Sequence, residues 1–211
     1  MESEATVFVV DDDHAVRASL QWLLESRGLP VKAFDAADPF LEALEQMPER
    51  PRGCLLLDVR LPGMSGLDLQ TQLRRSGVVL PVIMISGHGD VAMAVRAMRA
   101  GAVDFLEKPC DERVLLDRID EAITSQDRAE QIQAMHESLA ERYQRLTRRE
   151  RQVMRMVGEG MLNKQIAADL DLSPKTVEVH RANVMMKMHA GSLAELVRMA
   201  VALEGGRSGL S

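Results

Sequence analysis

Apolar positions follow two different periods along this chain, and the change between them divides it. Across roughly the first 110 positions, short continuous apolar runs alternate with helical patterns. The runs are Thr6-Val7-Phe8-Val9-Val10, residues 31–34, Cys54-Leu55-Leu56-Leu57, Pro81-Val82-Ile83-Met84-Ile85 and residues 102–106. Each is too short for a helix. Those at 6–10, 54–57 and 81–85 are apolar at consecutive positions, as strands buried on both faces must be. Between them lie helical stretches at 14–27, 39–47, 67–76 and 91–100, and a fifth at 111–124 follows the last run. Val16, Leu20, Leu23 and Leu24 give the first its inner face, and Gly28 stops it. Asp90 and Asp111 are candidate caps for the last two. Five strands alternating with five helices predict an α/β fold, a doubly wound five-stranded parallel sheet.

Beyond residue 124 the pattern becomes purely helical. No Gly or Pro occurs from Cys110 to Val157, which argues against a loose tether there. Within 125–146 the apolar residues thin to Ile132, Met135, Leu139 and Leu146, a narrow seam. A solvated spacer helix and a coiled-coil contact both fit it. Thr147-Arg148-Arg149-Glu150 is a capping-box pattern that restarts a helix, and 163–170 is a second. Ser173-Pro174 opens a third to about residue 188, and Ser192 to Glu195 opens a last one to about 203. The expected organisation is an α/β domain at 1–124 and a helical linker at 125–146. An all-α four-helix domain follows at 147–204, with a disordered tail at 205–211.

Composition changes this picture little. A length of 211 residues suits two domains, and 3% aromatic content leaves the cores to aliphatic residues and Met. No apolar run reaches membrane-spanning length and the amino terminus is acidic, so no membrane partner and a cytoplasmic location are expected. Cys54 and Cys110 lack metal-ligand spacing and read as reduced thiols. Charge is uneven: residues 1–124 carry 21 Asp+Glu against 13 Lys+Arg, and residues 125–211 carry 11 against 13. The acidic half fits a cation site, and the mildly basic half permits nucleic-acid binding without requiring it.

The strand ends carry the chemistry. The run 6–10 ends in Asp11-Asp12-Asp13, and 54–57 ends in Asp58 before a Pro62-Gly63-Met64-Ser65-Gly66 turn. The run 81–85 ends in Ser86, and 102–106 is followed by Glu107-Lys108-Pro109. In a parallel sheet these ends converge where open α/β sheets place ligands. Clustered carboxylates tolerate one another around a cation, and an all-oxygen site suits Mg²⁺. The lysine and hydroxyl can then hold an anion beside it. A turn-capping role for Asp58 is the plainer alternative.

These residues, in this order, resemble the receiver domain of two-component response regulators, a flavodoxin-like fold, over roughly the first 120 positions. The resemblance implies that Asp58 accepts a phosphoryl group from a sensor histidine kinase. It implies Mg²⁺ held by Asp12, Asp58 and the backbone carbonyl of Arg60, with Asp11 acting through water. Lys108 and Ser86 would take charge on the phosphoryl oxygens, and Ser86 and Phe105 would act as the switch. His88 and Arg60 would tune dephosphorylation, and Asp13 would be a helix cap. Such a chain is not a turnover enzyme; it catalyses only its own phosphorylation and dephosphorylation.

The stretches 163–170 and 174–188 form a helix-turn-helix candidate. Val177, Val184 and Met188 should pack inward, leaving Lys175, Glu178, Val179, Ala182, Asn183 and Met186 outward. Small and polar residues flanked by Lys175, Arg181 and Lys187 suit a major groove. Leu146-Thr147-Arg148-Arg149-Glu150, Asn163-Lys164-Gln165-Ile166-Ala167 and Ser173-Pro174-Lys175-Thr176-Val177 resemble the LuxR-type DNA-binding domain. The whole chain is therefore similar to response regulators of the NarL/FixJ class, and its Ser86-Gly87-His88-Gly89-Asp90 and Ala97-Met98-Arg99-Ala100-Gly101-Ala102 stretches resemble the FixJ branch. DNA contacts are implied at Lys164, Lys175, Thr176, Glu178, Val179, Arg181, Ala182, Asn183 and Lys187. Promoter DNA, RNA polymerase and a homodimer formed on phosphorylation are the implied partners, with activation the implied outcome.

Two rivals fit less of the chain. A haloacid-dehalogenase-type phosphatase shares the Asp-rich opening, but Ala15 stands where its motif wants Thr or Val. A LuxR-type receptor for a diffusible signal shares the second domain, but needs an aromatic-rich first one.

Overall fold

The computed structural model describes residues 5–47, 50–87 and 91–208. The chain forms two compact units, 1–130 and 131–211. The first has five strands, β1 (Thr6–Val10), β2 (Val31–Phe34), β3 (Gly53–Asp58), β4 (Val82–Ser86) and β5 (Asp104–Glu107). All pair in parallel, in the order β2-β1-β3-β4-β5. Between them run α1 (His14–Ser26), α2 (Ala37–Glu45), α3 (Gly66–Arg75) and α4 (Val91–Arg99), and α5 (Glu112–Gln144) follows β5.

Strict alternation along the strands builds two cores. Phe8, Val10, Leu55, Leu57 and Met84 face α2, α3 and α4, where Phe40, Leu69 and Ala97 meet them. Val7, Val9, Cys54, Leu56, Ile83 and Ile85 face α1 and α5, packing on Leu20, Leu24, Leu115 and Ile119. Helices on both faces explain why these strands read as continuous apolar runs. Burial also pushes the Cys54 thiol up to about 12, so it stays protonated in the core.

Three boundaries differ from expectation. β5 starts at Asp104 because the Ala102 amide is bonded to the Ala97 carbonyl and closes α4 instead. α2 starts at Ala37, since Pro39 falls in its first turn, where proline is tolerated. α5 runs unbroken for 33 residues, through the segment expected as a separate linker at 125–146. Its residues divide between the units. Gln126, buried, donates to the Pro51 and Val79 carbonyls and accepts from the Gly53 amide, while Asp127 pairs with Arg52 at 2.8 Å. Leu139, Tyr143 and Leu146 belong to the core of the second unit. The Asp90 cap lies outside the described residues.

The second unit holds α6 (Arg148–Gly158), α7 (Asn163–Leu170), α8 (Pro174–Met188) and α9 (Leu193–Ser208). Its core is Leu146, Val153, Met154, Val157, Ile166, Val177, Val184, Met188 and Leu196, with α6 packed on both α8 and α9. The Thr147–Glu150 capping box and the Ser173 cap form as expected. Asp171 and His189, in left-handed conformation, end α7 and α8. α9 continues to Ser208, where a disordered tail from 205 was expected. Gly205 and Gly206 each cost a helix about 1 kcal/mol without breaking it as proline would. Residues 209–211 lie outside the described residues. No described helix is long and apolar enough to cross a membrane.

Candidate functional site

Strand order fixes where the site forms. β1 and β3 are neighbours whose helical crossovers leave on opposite faces, which opens a crevice at their carboxyl ends. Asp11 follows β1 and Asp58 ends β3; both are buried, while Asp12 is exposed at the rim. Carboxylate oxygens of Asp11, Asp12 and Asp58 come within 4.8 Å of one another. Lys108 Nζ bridges two of them, donating to Asp11 Oδ2 at 2.5 Å and Asp58 Oδ2 at 2.6 Å. The other Asp58 oxygen accepts the Arg60 amide at 3.0 Å, and Asp11 Oδ1 accepts the Asp13 amide at 3.0 Å. Asp13 also caps α1, as the sequence suggests.

Local sequence explains this placement. Lys108 sits just past β5, its amide bonded to the Ser86 carbonyl at 2.8 Å, so the lysine and the buried Ser86 are brought to the same end of the sheet. The loop after Asp58 turns back until Gly66 lies against the Asp58 backbone. A Cβ on Gly66 would stand 2.0 Å from the Asp58 carbonyl oxygen, so only glycine fits. Phe105, partly buried, packs on the α3–α4 core.

Electrostatics follow from crowding two buried carboxylates around one ammonium. Burial pushes the Asp11 carboxyl above its ordinary range, against the opposing pull of Lys108 and the Asp13 amide. Burial works against the Lys108 ammonium too. Its bonds to Asp11 and Asp58 outweigh that and raise its pKa, so it stays charged. Three oxygen donors and no soft ligand make a set that fits a hard divalent cation such as Mg²⁺.

The second unit presents the expected helical face. Val177, Val184 and Met188 are buried; Lys175, Glu178, Val179, Ala182 and Met186 are exposed on α8, and Lys164 is exposed on α7. Thr176 and Asn183 are half-buried, and Thr176 is bonded to Ser173 at the helix start. Two of the expected phosphate-contacting cations already have partners. Arg181 is hydrogen-bonded to Asn163 Oδ1. Lys187 Nζ meets both oxygens of Glu150, at 3.0 and 2.7 Å, although Glu150 is only 3% exposed.

A family model for the response regulator receiver domain matches residues 7–120, and one for bacterial regulatory proteins of the luxR family matches 144–200. The transcriptional regulatory protein FixJ of Bradyrhizobium diazoefficiens is 45% identical over 201 residues, 95% of this chain and 97% of that one. The FixJ of Azorhizobium caulinodans is 48% identical over 202 residues, 95% and 94% of the two chains. The solved response regulator StyR superposes with a TM-score of 0.82 at 45% identity, covering 93% of this chain and 98% of that one.

The chain belongs to the NarL/FixJ family of response regulators.

As a member of that family it is a phosphorylation-dependent transcription regulator, whose receiver implies a kinase partner and whose luxR-type domain implies DNA binding. In this response regulator the structure gathers Asp11, Asp12, Asp58 and Lys108 into one cluster and places the Arg60 amide against Asp58. His88 lies outside the described residues. Two structural residues were not legible in sequence. Gln126 reads as a solvated helix position. Glu150 reads as a cap alone, and only a cation 37 residues away marks it as half of a buried pair.

Proposed function

We propose that Asp58 is the phosphoryl acceptor, carried by one observation: a buried carboxylate at the end of β3 has one oxygen on the Arg60 amide and the other on the Lys108 ammonium. The P–N bond of a sensor kinase phosphohistidine breaks as an Asp58 oxygen bonds to phosphorus, and the imidazole leaves with the electron pair. Asp11, Asp12, Asp58 and the Arg60 carbonyl would hold Mg²⁺, which when bound supplies positive charge against the transferring oxygens. Lys108 takes charge on the phosphoryl group, and Ser86 draws toward it, freeing Phe105 to rotate.

This event reshapes the face of α4 and β5. Val91, Val95, Met98 and Val103 are exposed there, and an apolar patch of this kind supports a dimer contact. A two-fold dimer then reads paired half-sites in promoter DNA. Lys175, Glu178, Val179, Ala182 and Asn183 would face the groove, with Lys164, Thr176 and Arg181 on the backbone. Lys187 serves better as the tie to Glu150 than as a phosphate contact. The regulator acts in the cytoplasm and raises transcription through RNA polymerase.

Asp58→Asn tests the acceptor. The near-isosteric chain should keep its melting temperature, lose labelling by acetyl phosphate, and remain monomeric by sedimentation where the parent dimerises. Labelling at the parental rate would place the acceptor elsewhere. A labelled parent that stays monomeric would sink the dimer alone.

A further inference from the structure

The second unit contains a groove that neither phosphorylation nor DNA reading uses. It has a volume of about 630 Å³ and lies between the end of α5, the outer side of α6 and α9. Tyr143, Leu146, Met154, Ala200 and Leu203 give it an apolar lining. Arg148, Arg151 and Arg155 line it as well, and among the residues up to Leu203, whose side chains are described, no acidic one does. One end is closed where α6 and α9 nearly touch, since a Cβ on Gly158 would stand 2.9 Å from the Ala200 Cβ.

The row of arginines is only partly committed to the fold. Arg148, Arg151 and Arg155 recur at three and seven residues, so they share one face of α6 over about 10 Å of its axis. Arg148 has no carboxylate within ion-pair distance among the described residues. Arg155 has only a loose pair with Glu159, at 3.6 Å between two exposed side chains. Arg151 is held in place by its bond to the Gln144 carbonyl at 2.9 Å, with its guanidinium 5.3 Å from the Tyr143 ring centroid. That posture leaves other N–H donors of its fork free.

We propose that this groove docks an acidic amphipathic helix of a protein partner. Apolar side chains of that helix would enter between α6 and α9, and carboxylates one and two turns apart would meet the arginine row. Charge complementarity selects the partner's sign, and the apolar lining selects protein over nucleic acid. A phosphate backbone needs cations but has nothing to place on Leu146, Met154 and Leu203. No residue of α8 lines the groove, so it stays accessible while α8 lies on DNA. The proposal goes beyond the acceptor and DNA assignments and does not depend on Asp58.

The test uses the full chain and a fluorescein-labelled synthetic helical peptide with Glu on one face and Leu on the other. Anisotropy titration should show saturable binding. Arg148→Glu with Arg155→Glu should weaken it roughly tenfold or more. Ala140→Trp, at an exposed position on the rim, should weaken it to a similar degree by filling the groove without changing charge. Both variants should melt as the parent does. The proposal is overturned if the peptide does not bind, or if a Glu/Ser peptide lacking the apolar face binds as well. It also fails if only the charge reversal acts, or if that variant loses duplex-DNA affinity while peptide binding is unchanged, which would make the arginine row a phosphate surface.

Discussion

Lys187→Met separates two roles for the cation near the end of α8. In the parent chain, the buried Glu150 carboxylate accepts two contacts from Lys187 and the Thr147 amide at 2.7 Å. Methionine keeps most of the lysine stem and removes the charge. Breaking a buried ion pair by deleting one partner costs about 3–5 kcal/mol. Here the Lys187 side chain is 31% exposed, so water replaces part of the ammonium, and the Thr147 bond survives. A cost of about 2–3 kcal/mol is therefore expected. For a unit of about 80 residues that lowers its melting temperature by roughly 10–20 °C. Adding Glu150→Gln removes the stranded charge, keeps an oxygen for the cap, and should return about 1–2 kcal/mol.

Acid stability gives the same pair a second signature. Burial pushes the Glu150 carboxyl up, but Lys187 and Thr147 outweigh it and hold it below its ordinary value of 4.5. A depressed folded-state pKa contributes stability that is complete above pH 4.5 and is lost as pH falls through the folded value. Lys187→Met should flatten that acid-side slope. Thermal unfolding of the full chain followed by aromatic fluorescence can assign the change, because Trp22, the one tryptophan, lies in the first unit and Tyr143, the one tyrosine, in the second. If the second transition moves by less than about 0.5 kcal/mol while affinity for duplex DNA falls at every sequence, Lys187 is a phosphate contact and the structural role is wrong.

Two further perturbations test the frame and the reading face. Gly53→Ala places a Cβ 1.8 Å from the Thr6 carbonyl oxygen at a φ of +135°, which should cost the first unit roughly 3–5 kcal/mol by parting the start of β1 from β3. Denaturant titration followed by Trp22 would contradict this if the midpoint held. Val179→Ala should re-rank binding sites in a randomised duplex pool with little change in mean affinity, because its exposed side chain carries no charge. An unchanged ranking would mean that another face of α8 meets the bases.

What was legible in sequence is what has a local period. The strands at 6–10 and 54–57 announced themselves because parallel strands covered on both faces must be apolar throughout, and their terminal acids then had one place to go. The inward set Val177, Val184 and Met188 was legible for the same reason, through helical spacing. Long-range polar pairs have no such signal. Arg52 and Asp127 stand 75 residues apart, and Lys187 and Glu150 stand 37 apart. Alone, Arg52 and Asp127 read as solvated charges, Glu150 as a cap and Lys187 as a phosphate contact. The continuity of α5 was half legible: the absence of Gly and Pro predicted a helix there. It did not reveal that Gln126 would be buried under three backbone hydrogen bonds and so bind that stretch into the first unit.

Those internal pairings bear on how DNA occupancy can be regulated. Residues 146–204 carry nine Lys and Arg against seven Asp and Glu, so the second unit has little net charge to attract a polyanion. Of the cations on α7 and α8, Lys187 is held by Glu150, Arg181 donates to Asn163 Oδ1, and Lys164 and Lys175 are exposed. A single copy should therefore neutralise about two or three phosphates. At about 0.9 counterions released per phosphate, the logarithmic salt slope is roughly −2 to −3, too shallow for tight binding at physiological salt. Two copies held together double that slope, and the second half-site is met at an effective concentration of roughly mM for a short connection. On that arithmetic assembly, rather than exposure of more charge, would be the step through which phosphorylation sets occupancy. Binding of Asp58→Asn and of the phosphorylated parent to one duplex, titrated across salt, decides this. The expected slopes are about −2 to −3 for the first and about twice that for the second. Equal slopes with a large difference in affinity would refute assembly, and would favour a monomer whose α8 is covered until Asp58 is phosphorylated.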